Sequence, residues 1–173
     1  GDEIRHVPAE CRLELGPGGL RILERIVKDG GRDETGILSL GGGNRDIDEA
    51  GIRGSRDIIR ALIRTENARG IPSERIILAG FSQGGAMTYS TGLTHPDQLG
   101  GIIALSCYLP SPALLEAECT PANRLTPIFA AHGLADDVVP LRLGVEAKDF
   151  LLRKEYSLEW HTYPMSHSVC LEE

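Results

Sequence analysis

The sequence predicts an α/β fold with a mostly parallel sheet flanked by helices, and three observations support this. Strand-like and helix-like segments alternate three times along the chain. The run at residues 101–106 is apolar without polar alternation, which is typical of a parallel strand covered on both faces. Between a strand-like and a helix-like segment, Gly80-Phe81-Ser82-Gln83-Gly84 has the form G-x-S-x-G, which predicts a sharp strand-to-helix turn.

Composition narrows the range of partners and compartments. The 173 residues predict one domain, residues 1–173, and the net charge of −7 argues against nucleic acid or an anionic membrane as the main partner. No apolar run is long enough to span a bilayer and no signal peptide opens the chain, so we expect a cytoplasmic protein without stable membrane insertion. The four cysteines lack metal-site spacing, which favours reduced thiols.

The first third of the chain gives the weakest signals. Residues 11–15 alternate like a short strand, and residues 20–28 have apolar residues at helical spacing. A strand-like run at 37–40 leads into a glycine-rich segment at 41–44, which we interpret as a flexible connector. A capping-box pattern at 46–49 predicts a long helix. Arginines recur along that helix at positions that predict a solvated face: Arg53, Arg56, Arg60 and Arg64.

The remainder of the chain is strongly patterned. Strand-like runs occupy residues 76–79, 101–106, 127–132 and 157–163. Residues 141–154 have the apolar spacing of a helix between the last two strands. This alternation predicts parallel strands joined by right-handed helical crossovers.

Three residues have the types and order of a nucleophilic site. A serine hydroxyl needs a base to take its proton, and the base works best beside a carboxylate that fixes its orientation. Ser82, Asp136 and His167 follow in the order Ser, Asp, His, each after the carboxyl end of a predicted strand. Asp137 competes with Asp136 and the spacing does not separate them, whereas His161 lies within a predicted strand. No cluster has metal-ligand spacing, so we expect neither metal nor cofactor.

Four segments together resemble the phospholipase/carboxylesterase family of α/β-hydrolases, which includes small bacterial carboxylesterases and acyl-protein thioesterases. They are Gly80-Phe81-Ser82-Gln83-Gly84-Gly85-Ala86, Leu105-Ser106-Cys107-Tyr108-Leu109-Pro110, His132-Gly133-Leu134-Ala135-Asp136-Asp137-Val138-Val139-Pro140 and Met165-Ser166-His167-Ser168. The resemblance implies an α/β-hydrolase fold with Ser82 as nucleophile, Asp136 rather than Asp137 as acid, and His167 as base. It also implies that the Gln83 backbone N–H is one oxyanion-hole donor.

The chain departs from the family pattern in three places. No His-Gly pair, whose loop supplies the second oxyanion donor in the family, occurs before residue 132. Residues 1–35 do not resemble the usual first strand, so we treat them as an atypical amino-terminal segment. The family's last helix is not found before Glu173, and we expect a truncated or altered form of the fold.

These observations predict a serine carboxylesterase that hydrolyses carboxylic esters through an acyl-enzyme, on a small-molecule or lipid-like substrate. The close alternative is an acyl-protein thioesterase or a lysophospholipase. An alternative of another class is a catalytically impaired hydrolase-like binding protein. An open sheet edge would further allow two copies to pair as a homodimer.

Overall fold

The structure, a computed structural model, describes residues 11–15, 20–24 and 49–170. The strands are β1 (Cys11–Leu15), β2 (Leu20–Glu24), β3 (Ile76–Phe81), β4 (Gly101–Leu105), β5 (Ile128–Gly133) and β6 (Leu158–Tyr163). The helices are α1 (Glu49–Ala68), α2 (Gln83–Leu93), α3 (Pro112–Glu118) and α4 (Leu141–Arg153), with short 3₁₀ turns at Ser73–Arg75 and Pro121–Asn123. The six strands lie in chain order in one sheet, with β1 antiparallel to β2 and all other pairs parallel. The predicted mostly parallel α/β sheet is confirmed.

The prediction for residues 20–28 was wrong in its first half. Leu20–Glu24 is a strand that pairs in parallel with β3, Arg21 opposite Ile76 and Glu24 opposite Ala79. A segment of only five residues fits both the helical and the strand periodicity, and pairing with a distant strand decides the outcome here. Residues 25–28, and the predictions for 37–40 and 41–44, lie outside the described residues.

The main core lies between one face of the sheet and the helices. Register places Leu78, Ile102, Ile128 and Leu158 side by side on that face. Helical side chains pack against these strand residues: Ile63 from α1, Tyr89 and Leu93 from α2, and Phe150 and Leu151 from α4. On the opposite face, Ile103 and Phe129 are only half-buried. The sequence predicts that β4 is covered on both faces, and the described residues cover only one face fully. Burial of the face that carries Leu78 and Ile102 stabilises the sheet, and the sheet in turn positions the strand ends.

The arginine row on α1 is not uniformly solvated. Arg56 is buried, forms an ion pair with Glu118 of α3 and donates to Thr94 Oγ1 at 3.2 Å. Arg60 donates to the Thr94 carbonyl at 2.7 Å, whereas Arg53 and Arg64 are exposed. The prediction of a solvated face was therefore wrong for Arg56. Its guanidinium joins α1 to α3 and to the end of α2.

Two further expectations concern the membrane and the cysteines. Within the described part of the chain, no helix has the length and apolarity needed to cross a bilayer. Cys107, Cys119 and Cys170 carry free thiols, as the cysteine spacing predicts.

Candidate active site

Ser82 occupies a sharp turn between β3 and α2. Its backbone lies at φ 56° and ψ −121°, a strained conformation for a residue with a side chain. The turn is tight because Gly80 approaches Gly84 so closely that a Cβ on Gly80 would lie 2.4 Å from the Gly84 carbonyl. The Ser82 N–H donates to the Leu105 carbonyl at 2.9 Å, which fixes the turn on β4. This geometry places the hydroxyl above the carboxyl end of the sheet.

His167 meets this hydroxyl although the two residues are far apart in the sequence. The distance between His167 Nε2 and Ser82 Oγ is 2.9 Å, and His167 Nδ1 lies 2.8 Å from Asp136 Oδ2. An ionised carboxylate only accepts hydrogen bonds, so Nδ1 carries the proton and Nε2 accepts from the Ser82 hydroxyl. The structure thus brings together the three residues that the sequence predicted. Asp137, the competing acid, is exposed.

Asp136 is oriented by the loop in which it lies. Its Oδ1 accepts from the backbone N–H of Val138 at 3.0 Å and of Val139 at 2.7 Å, which leaves Oδ2 for His167. Burial acts to raise the pKa of Asp136, but hydrogen bonds from His167 and from the two N–H groups outweigh it and hold the pKa below its usual value. The carboxylate is therefore ionised and fixed at neutral pH.

The loop that carries His167 is held against the loop that carries Asp136. The Ala135 N–H donates to the Met165 carbonyl at 3.0 Å, and the Leu134 N–H donates to the Tyr163 carbonyl at 2.8 Å. Gly133 permits this approach, because a Cβ there would lie 2.5 Å from the carbonyl oxygens of Met165 and Ser166. Backbone contacts thus position the imidazole before any substrate is present.

Two side chains that lie beside Ser82, Asp136 and His167 were not predicted from the sequence. The ring of Phe81 lies 4.6 Å from that of His167, centroid to centroid. The imidazole of His132 lies with Nε2 3.6 Å from Asp136 Oδ2. A signal was present for both, since Phe81 adjoins Ser82 and His132 closes the strand before Asp136. His161 lies on β6, where Glu159 Oε1 is 2.8 Å from its Nε2 and Phe129 stacks on its ring.

This arrangement can transfer a proton from a hydroxyl to an imidazole beside a fixed carboxylate. Gln83 is the first residue of α2, where backbone N–H groups have no partner within the helix and can face a negative charge. Its predicted role as an oxyanion donor stays a prediction.

Known proteins share both sequence and fold with this chain. The sequence profile of the phospholipase/carboxylesterase family matches residues 39–173. The chain is 50% identical over 133 residues to acyl-protein thioesterase 1 of Neurospora crassa, covering 75% of this chain and 54% of that protein. It is 43% identical over 150 residues to acyl-protein thioesterase 1 of Mycosarcoma maydis, covering 79% and 62%. The crystal structure of Arabidopsis thaliana SOBER1 superposes with a TM-score of 0.69 at 31% identity, covering 73% of this chain and 60% of that one.

The chain thus spans between about half and two thirds of the length of these relatives. The match over residues 39–173 includes the serine turn and the loops of Asp136 and His167. This protein belongs to the phospholipase/carboxylesterase family of α/β-hydrolases.

Proposed function

We propose that the protein is a serine hydrolase that cleaves carboxylic esters or thioesters of small-molecule or lipid-like substrates. The observation that carries the proposal is the chain of hydrogen bonds from Ser82 to His167, 2.9 Å, and from His167 to Asp136, 2.8 Å. Such a chain activates a hydroxyl that is otherwise a weak nucleophile.

Each residue has a definite part in the proposed reaction. His167 Nε2 takes the Ser82 proton while Oγ attacks the acyl carbonyl, and Asp136 stabilises the imidazolium that forms. The Gln83 N–H, at the amino end of α2, donates to the developing oxyanion. His167 then gives its proton to the leaving group, which departs as an alcohol or a thiol and leaves an acyl-enzyme on Ser82. Water, deprotonated by the same imidazole, releases the acid.

We propose the thioesterase activity as the finer assignment. Two fungal relatives, 50% and 43% identical to this chain, are named acyl-protein thioesterases, and they support a thioester as substrate. A matched pair of substrates, one acyl group carried as an oxygen ester and as a thioester, decides between the activities by the ratio of kcat/KM. The thioesterase assignment predicts a ratio above one for the thioester, and a ratio below one would favour the carboxylesterase.

The test of the proposed function is a rapid-mix burst with p-nitrophenyl acetate. We expect a burst of p-nitrophenol that approaches one equivalent per folded chain, followed by slower turnover, because acylation by this activated ester should be faster than hydrolysis of the acyl-enzyme. Ser82→Ala should abolish the burst, while Ser55→Ala, on α1 and outside the site, should retain it. A folded protein that binds ester but shows neither a Ser82-dependent burst nor Ser82-dependent steady-state turnover would instead be a hydrolase-like binding protein.

A further inference from the structure

His132 is a buried imidazole beside the site that the proposed reaction does not use. It lies near the end of β5 with 1% of its surface exposed, and the Asp136 side chain next to it has no exposed surface. Its Nε2 is 2.8 Å from the Val139 carbonyl oxygen and 3.6 Å from Asp136 Oδ2. A histidine this enclosed has a fixed orientation, so its contacts define its role.

The contact with Val139 fixes the tautomer of His132. A carbonyl oxygen only accepts, so Nε2 carries the proton and donates to Val139. The 3.6 Å separation between Nε2 and Asp136 Oδ2 exceeds a hydrogen bond, so Val139 is the acceptor. Among the described residues, the charged group in contact with this nitrogen is Asp136, while Gly144 of α4 lies against Nδ1 and Trp160 of β6 lies beside the ring.

Val139 links His132 to Asp136 through its two backbone polar groups. Its carbonyl accepts from His132, and its N–H donates to Asp136 Oδ1 at 2.7 Å. The two groups belong to successive peptide units joined at the Val139 Cα, so the bond from His132 restrains the residue whose N–H orients the carboxylate. The hydrogen bond between His132, on β5, and Val139, just before α4, therefore joins the two ends of the loop that contains Asp136.

Close packing against α4 and β6 restricts the orientation of the His132 imidazole. A Cβ on Gly144 of α4 would lie 2.4 Å from His132 Nδ1 and 2.9 Å from the Trp160 ring. The ring centroids of His132 and Trp160 are 6.3 Å apart, with 33° between their planes. The ring is held between α4 and β6, with Nε2 directed to the loop.

We infer that His132 is a positioning residue that sets the orientation of the Asp136 carboxylate through its bond to Val139. The inference rests on the proposed function, because its effect on rate passes through Asp136 to His167. It concerns geometry at the acid and leaves the roles of Ser82 and His167 unchanged.

Three substitutions separate the bond from the volume of the ring. His132→Gln keeps an N–H donor at the position of Nε2, His132→Asn moves the donor to the position of Nδ1, and His132→Leu removes it. We expect kcat to fall about 10- to 100-fold in H132L and H132N, as small misplacements of a catalytic group do, with KM nearly unchanged. H132Q should recover to within about threefold of wild type, and His161→Gln, on β6, should have no effect.

A double-mutant cycle with Asp136→Asn shows whether the effect passes through the acid. We expect H132L to cost nothing further in the D136N background. Equal cost in both backgrounds, or equal loss in H132Q and H132L in step with their melting temperatures, would overturn the inference. If H132L does not fold, H132N gives the same comparison.

A proton NMR measurement, which does not depend on turnover, separates this inference from the proposed function. The downfield proton resonance of His167 Nδ1–H bonded to Asp136 should persist in H132Q and broaden or move in H132L and H132N. An unchanged resonance in folded H132L and H132N overturns the positioning role. Absence of any Ser82-dependent release of p-nitrophenol by the wild-type protein would contradict the proposed function, and this resonance would still decide the role of His132.

Discussion

At the scale of single residues, hydrogen bonds from three N–H groups distinguish Asp136 from the adjacent Asp137. Asp136 is buried, yet it receives an N–H from His167 and two backbone N–H groups. These bonds hold its pKa below the usual value although burial acts in the opposite direction. Asp137, the next residue, is exposed.

This difference predicts how stability depends on pH. The pKa of Asp136 is lower in the folded than in the unfolded chain, so the unfolded chain binds more protons in acid and Asp136 stabilises the fold at higher pH. That contribution is complete above the ordinary carboxyl pKa of about 3.9 and is lost as the pH falls through the lowered value. We expect D136N to have a shallower acid slope than wild type in urea unfolding measured from pH 2 to 6.

Asp137→Asn is the matched control for that slope. It removes the same charge from the adjacent position and should keep the wild-type curve. Two variants with equally reduced slopes would show that net charge, rather than the bonds on Asp136, produces the dependence.

The sequence predicted the three residues of the site through type, order and position after strands. It did not separate Asp136 from Asp137, because that distinction depends on which side chain its own loop turns inward, and the family resemblance was needed. Phe81 and His132 were missed because their contacts cross between strand ends that periodicity does not connect.

At the scale of elements, two helical glycines differ in how much space surrounds them. Gly144 of α4 faces His132 and Trp160 with no room for a Cβ, whereas a Cβ on Gly54 of α1 would meet nothing within 4 Å. The first glycine permits a close approach of helix and sheet. The second only weakens its own helix.

Alanine at each position should therefore change the free energy of unfolding in opposite directions. We expect Gly144→Ala to destabilise the fold by about 1–3 kcal/mol through overpacking. Gly54→Ala should stabilise it by about 0.5–1 kcal/mol through helix propensity. Urea unfolding monitored by circular dichroism measures both, and a Gly144→Ala variant as stable as wild type or more stable would contradict the packing described for α4.

Local patterns predicted α1, α4 and β3 to β6 well because each combines periodicity with clear stop signals. They failed at Leu20–Glu24, where pairing with β3 overrides helical spacing. They also failed at Arg56, because its partner Glu118 lies on a different helix that no pattern in α1 reveals.

At the scale of the whole molecule, the ion pair between Arg56 and Glu118 joins α1 to α3. Arg56 is buried while Glu118 keeps about a third of its side chain exposed. Hydrogen bonds from Arg56 and Arg53 lower the pKa of Glu118, so it is ionised at neutral pH. Without this carboxylate, Arg56 would keep its hydrogen bond to Thr94 Oγ1, at 3.2 Å, but would lose its charged partner.

Glu118→Gln should therefore destabilise the fold by about 2 kcal/mol or more, because a buried guanidinium loses its counter-charge. Glu116→Gln, which removes the partner of Lys154 on the surface, should cost less than about 0.5 kcal/mol. Thermal unfolding at neutral pH compares them. Equal costs would mean that burial of Arg56 is not supported by Glu118.

The central claim joins distant parts of the chain, since the ends of β3, β5 and β6 must meet for Ser82 to be activated. Intact-mass spectrometry after treatment with a fluorophosphonate tests this most directly. We predict one adduct on Ser82 in wild type, none in Ser82→Ala and at least 10³-fold slower labelling in folded His167→Ala, on the scale of single triad deletions. An adduct that persists in Ser82→Ala, or a folded wild-type protein that is never labelled, would contradict the account.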